Sequence, residues 1–288
     1  MPGLVVDRYG DVLVAQCLTL GMARVRVEVV AALRTALGEL PTFADDDATP
    51  ARLEGFEPLR GWLDTPGPAS VVVEETGASG GVRFGVTFGA GHKTGLYLDQ
   101  HDNRVRFGAL ASGRDVLDVF SYTAGFACHA LVGGARRAVC IESSSEAVAT
   151  VRENLALNAV AERGEVHALN AFDELRRLER ARERFGLVAL DPPPFARGRE
   201  TVEAARRGYK EINLRAMRLL GPGGMLATFS CSHHVSVQDF EEICRDAASD
   251  AGVRLRMLDT LTQSADHPVL LAVPETRYLK GVLFERAD

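Results

Sequence analysis

Two residues of this chain carry chemistry that their spacing could bring together. Asp191 opens the stretch Asp191-Pro192-Pro193-Pro194-Phe195, and forty residues later Cys231 lies within Ser230-Cys231-Ser232-His233-His234. A positioned carboxyl group can move a proton or absorb developing charge, and a thiol can act as a nucleophile. The chain has five cysteines, at 17, 128, 140, 231 and 244. Their number is odd, they are scattered, and no Cys-x-x-Cys pair occurs, so neither a disulfide framework nor a metal site is expected. Cys17, Cys128, Cys140 and Cys244 sit among apolar neighbours and read as small buried hydrophobes. Cys231 differs, because its segment is polar and ends an apolar run.

The elements that must position these groups can be read from the surrounding pattern. Residues 185–190 alternate Phe, Leu and Val with small residues as a buried parallel strand does, and the prolines stop that strand abruptly. Asp191 is thereby presented at a strand tip, where ligands bind in open α/β sheets. A rigid surface turn remains the alternative for Asp-Pro-Pro taken alone, and a structural thiol at a strand end is the alternative for Cys231. From about Arg114 onward, strands over 116–120, 137–142, 165–170, 187–190 and 225–229 alternate with helices over 125–132, 144–157 and 202–220. Such alternation implies a parallel, doubly wound sheet.

The turn Asp118-Val119-Phe120-Ser121-Tyr122-Thr123-Ala124-Gly125-Phe126 leads from the first of these strands into a helix. A nucleotide-like cofactor lies at such a place, against backbone amides and a helix N-terminus, although this is no Gly-x-Gly-x-x-Gly fingerprint. Glu142 ends the second strand, where an acid can accept hydrogen bonds from two ribose hydroxyls. A charge at the start of the helix after Ser143-Ser144-Ser145 is its competing role. Ahead of this region lie two short strands joined at Tyr9-Gly10-Asp11 and a helix over 22–37 with Val25, Val29, Ala32, Leu33 and Leu37 on one face. A long loop over 41–68, mobile near Asp45-Asp46-Asp47, and two strands over 70–75 and 82–88 complete a small α+β unit.

At 288 residues, 46% apolar and 25% charged, the composition is that of a soluble globular protein. No apolar run reaches the length of a membrane span and the start lacks a signal-peptide pattern, so a cytoplasmic location is expected. With 33 basic against 39 acidic residues, a net of -6, the chain is no general nucleic-acid binder, and an RNA substrate would need a local basic patch.

Taken in order, Thr94-Gly95-Leu96-Tyr97-Leu98-Asp99-Gln100-His101-Asp102-Asn103-Arg104, the turn 118–126, the Asp191 and Cys231 segments, and the tail from Ala265-Asp266-His267-Pro268 through Tyr278-Leu279-Lys280-Gly281 resemble one family. It is the S-adenosylmethionine-dependent methyltransferases that make 5-methylcytosine in 23S ribosomal RNA, and the likeness covers essentially the whole chain. It implies an α/β fold: a class I, Rossmann-like methyltransferase domain over 93–288, with a seven-stranded, mostly parallel sheet whose last strand is antiparallel. A smaller α+β domain over 1–92, for substrate binding or linkage, would precede it. S-adenosyl-L-methionine is the implied cofactor. By the same likeness Tyr97, Asp99, Gln100 and Arg104 line its site; Asp118, Ser121, Tyr122, Thr123 and Gly125 hold its methionine part; and Glu142 holds its ribose. Asn170, where Asp is usual, and Asp173 lie near the adenine, and Asp191 also borders the cofactor. Pro192, Pro193, Phe195, Arg197 and His233 are expected on the substrate side.

The implied chemistry explains the pairing of Asp191 with Cys231. Carbon 5 of cytosine is a poor nucleophile, and thiolate addition at carbon 6 turns it into an enamine-like one. Asp191, or its protonated form, would hydrogen-bond the ring nitrogen and exocyclic amine to absorb developing charge. A free thiol, with a pKa of about 8.5, is only a few per cent thiolate at neutral pH, and His233 or His234 beside it would raise that fraction. A hydrogen-bonded structural role is favoured for each histidine, because adjacent side chains rarely share a direction.

Three departures bear on the substrate. Relatives carry an N-terminal PUA RNA-binding domain, whereas this chain begins where their middle domain would. The usual Gly-Gln-Lys-Thr-Gly segment reads Gly91-His92-Lys93-Thr94-Gly95, and the net acidity suits phosphates poorly. Arg197, Arg199, Arg206, Arg207 and Lys210 form a basic cluster interleaved with Glu200, Glu203 and Glu211, so an RNA-binding patch and a solvated helix face stand as equal readings. A relative recruited to a small molecule, methylating a metabolite or converting S-adenosylmethionine itself, is therefore the second function class. A non-catalytic cofactor-binding assembly factor is the third, disfavoured by the intact Asp191 and Cys231. The expected partner is RNA or a small molecule and not a membrane; a homodimer is left open.

Overall fold

The computed structural model describes residues 2–63, 66–77, 80–89, 95–195, 198 and 201–288. The chain falls into two compact units, the first made of Met1–Glu74 and Arg83–Tyr97, the second of Glu75–Val82 and Leu98–Asp288.

In the first unit β1 (Leu4–Tyr9) and β2 (Val12–Cys17) pair antiparallel with Tyr9 opposite Val12. Gly10 has φ 61°, which the two-residue turn requires and glycine adopts without strain. α1 (Leu20–Arg24), α2 (Arg26–Leu37), β3 (Thr42–Asp45), α3 (Ala48–Glu54) and β4 (Arg60–Trp62) come next, and the sheet order is β1-β2-β3-β4 with β2 and β3 parallel. Tyr9, Phe43, Trp62 and Phe88 pack around one another with ring centroids 5.2 to 6.4 Å apart.

Two expectations for this unit are corrected. The helix over 22–37 is two helices that break at Val25, whose φ of -102° and ψ of 23° are not helical. Its buried face is Val29 and Val30 with Arg26, not the stripe through Val25, Ala32 and Leu37, because a charge-paired arginine occupies a position that an apolar pattern cannot reveal. The segment 41–68 is not one long loop either. All four residues of β3 are buried, and Asp47 caps α3 by accepting from Thr49 N at 2.7 Å. Asp46, expected to be mobile, is 8% exposed and accepts from Cys17 N (2.8 Å), Leu59 N (2.9 Å) and both Arg26 Nη atoms (3.2 and 2.5 Å). The acidic run reads as polar loop because its partners lie elsewhere in the chain.

β5 (Ser70–Gly77) and β6 (Gly80–Thr87) form a two-stranded sheet. The second unit continues with α4 (His101–Ala109), β7 (Asp115–Val119), α5 (Gly125–Val132), β8 (Arg137–Glu142), α6 (Ser145–Leu157), β9 (Gly164–Ala168), α7 (Ala171–Arg180), β10 (Phe185–Leu190), α8 (Val202–Leu219), β11 (Leu220–Ser230), α9 (Val237–Ala251), β12 (Leu255–Leu261) and β13 (Lys280–Arg286). The seven strands β7 to β13 lie in the order β12-β13-β11-β10-β7-β8-β9. β13 runs antiparallel to both its neighbours and the β11 to β9 side is parallel, which is the class I methyltransferase sheet that the resemblance implied. β10 and β7 are central and covered on both faces, so Leu117, Val119, Val188 and Leu190 are fully buried. Among the described residues no helix is long and apolar enough to cross a membrane.

Asp46 tests the packing of the first unit. Asp46→Ala strands a nearly buried guanidinium and two backbone amides and is expected to destabilise that unit by roughly 3–5 kcal/mol in urea unfolding. A loss under about 1 kcal/mol would show that the Asp45–Asp47 segment is solvated rather than packed.

Candidate active site

Strand register brings the candidate residues to one edge of the sheet. Leu190 pairs with Val119 on one side and Thr228 on the other, and Val119 pairs with Ile141. β7 and β10 therefore end level, β8 runs on to Glu142 and β11 to Ser230, setting Glu142, the turn after Val119, Asp191 and Cys231 in that order along the carboxyl edge. Strand order reverses between β7 and β10, the switch point at which open α/β sheets take ligands.

The turn after β7 is strained and tightly held. Phe120, Tyr122 and Ala124 have φ of 63°, 50° and 59°, a left-handed backbone that costs non-glycine residues on the order of 1–2 kcal/mol each and clusters at functional loops. Ser121 Oγ donates to Asp118 O (2.7 Å), Ser121 N to Ile141 O (3.1 Å), Tyr122 N to Glu142 Oε2 (3.0 Å) and Asn154 Nδ2 to Thr123 O (2.9 Å). At Gly125 a Cβ would stand 2.5 Å from Arg104 Cδ, so glycine alone lets that side chain pass the start of α5.

Asp118 is 1% exposed and its Oδ2 accepts from Ala127 N at 3.0 Å. Burial pushes its carboxyl up to about 7; the Ala127 amide opposes this, and the nearby Asp191 and Glu142 charges add to it. Burial also pushes the Tyr122 phenol up to about 12, with help from Glu146 and Glu142. Glu142 Oε1 accepts from Ser143 N (2.7 Å) and Ser144 N (2.8 Å), so the helix-start role weighed for this residue is present. With Tyr122 N on Oε2, three of its roughly four acceptor sites are used, which leaves room for one further donor.

A second wall of the site comes from the residues leading into α4. Asp99 O accepts from Ser264 N (2.8 Å) and Ser264 Oγ (3.0 Å), Asp102 N donates to Ser264 Oγ (2.9 Å), and Asn103 Nδ2 bridges Gln100 Oε1 (2.6 Å) and Thr262 O (3.0 Å). Asp99 Oδ2 accepts from the Tyr278 hydroxyl at 2.7 Å. Asp99 Oδ1 and Gln100 Nε2, by contrast, are buried without a hydrogen-bond partner among the described residues. Each such orphan costs about 1–3 kcal/mol, a cost that a polar ligand recovers. Arg104, 3% exposed, makes a two-pronged ion pair with Glu75, and His129 Nε2 meets Glu75 Oε2 at 2.9 Å. Burial by itself would raise the Glu75 carboxyl, but the His129 hydrogen bond and the Arg104 charge hold it at about 2. Burial lowers His129, whose neutral ring can donate to Glu75. Neither Glu75 nor His129 stands out in the sequence.

Cys231 is half-buried while the other four cysteines are buried, and its Sγ lies 4.0 Å from Pro192 O, beside the Asp191 turn. Asp191 N donates to Val119 O at 3.4 Å; Pro192 is buried and Pro193 exposed. Phe195 anchors the far end of the turn against Tyr209, Phe172 and Phe120, with centroids at 4.7, 5.9 and 6.3 Å. Past the thiol, Ser232 Oγ meets the Tyr209 hydroxyl at 2.9 Å and Ser232 O accepts from Lys280 Nζ at 2.7 Å. Tyr209, Phe172, Phe120 and Lys280 are site residues that sequence reasoning left without a role. His233 and His234 are exposed.

The remaining candidates are more scattered. Tyr97 is half-buried at the end of the first unit. Asn170 is exposed and its Oδ1 caps α7 through Phe172 N at 2.9 Å, while the exposed Asp173 pairs with Arg176 at 3.4 Å. Arg197 lies outside the described residues, as do Arg199, Glu200 and the segment 91–94. Of the expected basic cluster, Arg206 pairs with Asp239 (2.6 Å) and Lys210 with Asp250 (2.8 Å), which ties α8 to α9 and neutralises both charges; Arg207 is exposed.

The Asp118 carboxyl gives a pH signature. Its pKa is raised on folding, so its favourable contribution is complete below the ordinary carboxyl range near 4 and is lost as pH climbs through about 7. Asn at this position stays uncharged and can still accept the Ala127 amide. Asp118→Asn is expected to stabilise the ligand-free protein more at pH 8 than at pH 5, by on the order of 2–3 kcal/mol, in denaturant titrations at the two pH values. An equal effect at both would show that the carboxyl ionises at its ordinary pH.

Comparison with known proteins agrees with this geometry. Residues 64–284 match the family described as S-adenosylmethionine-dependent methyltransferase. The chain is 38% identical over 286 residues to Ribosomal RNA large subunit methyltransferase I of Citrobacter koseri, spanning 98% of this chain and 70% of that protein. It is 39% identical over 285 residues to the protein of that name from Aeromonas hydrophila, spanning 98% and 71%. Solved structures similar to it include SMU.776 complexed with SAH, with a TM-score of 0.85 at 21% identity over 98% of this chain and 71% of that one. Trm5b from Pyrococcus abyssi gives 0.67 at 14% identity over 99% and 75%. At those identities the structures speak for the fold, whereas the family match and the curated relatives speak for descent: this chain belongs to the S-adenosylmethionine-dependent methyltransferases.

Proposed function

We propose that this methyltransferase forms 5-methylcytosine in large-subunit ribosomal RNA, with Cys231 as the transient nucleophile. The observation that carries the reading is the half-buried Cys231 thiol lying 4.0 Å from the Pro192 carbonyl, on the strand end next to the Asp191 turn. The names of the curated relatives support rRNA as the substrate.

Asp118, Ser121, Tyr122, Thr123, Gly125 and Glu142, with Tyr97, Asp99, Gln100 and Arg104, are assigned to the cofactor. The buried Asp118 carboxyl, the open acceptor on Glu142 and the unpartnered Asp99 Oδ1 suit a ligand rich in amine and hydroxyl donors. Asn170 and Asp173, beyond the end of β9, are assigned to the adenine side. When bound, S-adenosylmethionine supplies an electrophilic methyl group.

The chain's own residues do the rest. Cys231 adds to carbon 6 of the base and makes carbon 5 nucleophilic. Asp191 in its protonated form, its main chain bonded to Val119 O and its turn stiffened by Pro192 and Pro193, donates to the ring nitrogen and accepts from the exocyclic amine as negative charge develops. Loss of the carbon 5 proton then expels the thiolate. Phe195 keeps the Asp191 turn seated on the Tyr209 cluster, and Arg197 and His233 are assigned to RNA contacts. The small domain over 1–92 is assigned to substrate binding or linkage. One observation favours the small-molecule alternative: ion pairs to α9 neutralise Arg206 and Lys210, two members of the basic cluster that RNA would need.

Labelled S-adenosylmethionine with ribosomal RNA or with a small-molecule extract separates the two. Label is expected in RNA as 5-methylcytosine and is expected to vanish in Cys231→Ala. Cofactor consumption that needs no RNA and survives that substitution would establish the small-molecule reading. Independently, Asp118→Ala is expected to weaken cofactor binding by roughly tenfold or more in a calorimetric titration. An unchanged affinity would move the cofactor away from the β7 turn.

A further inference from the structure

We infer that Lys280 is a positioning residue that stabilises the Cys231 thiolate; this rests on the nucleophilic role proposed for Cys231. Lys280 opens β13 directly opposite Ser230 in the antiparallel register. Its side chain is 6% exposed, and Nζ donates to Ser232 O at 2.7 Å. The ammonium thus reaches from the partner of Ser230 to Ser232, the two residues that flank Cys231.

A buried ammonium is costly unless something compensates it. Among the described residues Lys280 forms no ion pair with a carboxylate, and the Ser232 carbonyl supplies a dipole but no charge. Burial lowers Lys280 from the ordinary lysine range, and the Cys231 charge acts in the opposite direction. By reciprocity the ammonium favours the thiolate. Among the described residues, Tyr209, Tyr278 and Asp191 do not supply this charge. Tyr209 on α8, at Ser232 Oγ, and Tyr278, ahead of β13 and bonded to Asp99, are phenols that burial pushes up and that stay neutral. Asp191 on the β10 turn is a carboxyl group, neutral when protonated and negative when ionised, so it supplies no positive charge. His233 and His234 extend from the same turn into solvent. Burial raises the thiols of Cys17, Cys128, Cys140 and Cys244, and the cation beside Cys17, Arg26, is paired with Asp46.

In this arrangement the thiol proton passes to solvent before the base binds, and a sulfur lone pair makes the bond to carbon 6. When the carbon 5 proton passes to solvent water, its bonding pair restores the carbon 5–carbon 6 double bond, the carbon 6–sulfur bond breaks and that pair returns to sulfur. Lys280 stays protonated throughout and forms no covalent bond.

The pH dependence of Cys231 alkylation by iodoacetamide, monitored by mass spectrometry of its peptide, tests this without methyl transfer. The buried cysteines serve as unreactive internal controls. The wild-type midpoint is expected below the value of about 8.5 for a free thiol. Lys280→Gln keeps a donor for Ser232 O but no charge; it is expected to raise the midpoint and slow alkylation at pH 7 roughly tenfold, and Lys280→Arg to restore most of the rate. A midpoint unmoved by Lys280→Gln overturns the assignment, and so does a wild-type midpoint at or above about 8.5, which needs no variant to fold. Methylation that survives Cys231→Ala refutes the nucleophile instead, so the two failures are told apart.

Discussion

Parallel pairing of β10 with β7 on one side and β11 on the other is the constraint on which the site depends. Setting Leu190 opposite both Val119 and Thr228 ends β7 and β10 at one level, with β11 running on to Ser230, so the turns that leave their carboxyl ends are neighbours. A one-residue slip in either pairing would turn alternate side chains to the other face and separate Asp191 from Cys231. The register is held by the apolar residues of the sheet centre, which are buried on both faces and cannot shift without opening cavities. Packing far from the chemistry thus sets the distance between the two reactive groups.

Around that edge the protein gathers acidic groups. Asp118, Asp191 and Glu142 converge, and Asp118 keeps its proton to about pH 7 because burial and its neighbours disfavour the anion. A ligand bearing positive charge would relieve that repulsion, which makes the strained 120–124 backbone intelligible as a cradle rather than a defect. Glu75, Arg104 and His129 form a buried group with the carboxylate held ionised, and Arg104 threads past Gly125 to reach it.

Much of the second unit was legible from residue pattern. The helix 125–132 and the strand 137–142 have the bounds that pattern assigned, and the helix over 202–220 ends one residue earlier. The strand over 165–170 stops at Ala168 because Asn170 turns its side chain back to cap α7. Pattern reading left α7, α9, β12 and β13 undelimited, although the Ser236–Asp239 capping box of α9 is a local signal that could have found it. The segment 41–68 misled because Asp45 and Asp46 look like loop residues until Arg60 and Arg26 are seen beside them.

The features that the sequence by itself determined are local: apolar runs that end at prolines or small residues, a carboxylate at one such end, a thiol in a polar segment at another, and the alternation that dictates a doubly wound sheet. Resemblance added the family. Only the tertiary structure decided which charges meet. Asp46 with Arg26, Arg206 with Asp239, Lys210 with Asp250 and Lys280 with the Ser232 carbonyl are pairs between separate elements. The physical reason is that the period of a strand or helix is a property of neighbours in the chain. The partner of a buried charge is set by register and by how elements pack, and neither is written at the position of the charge itself.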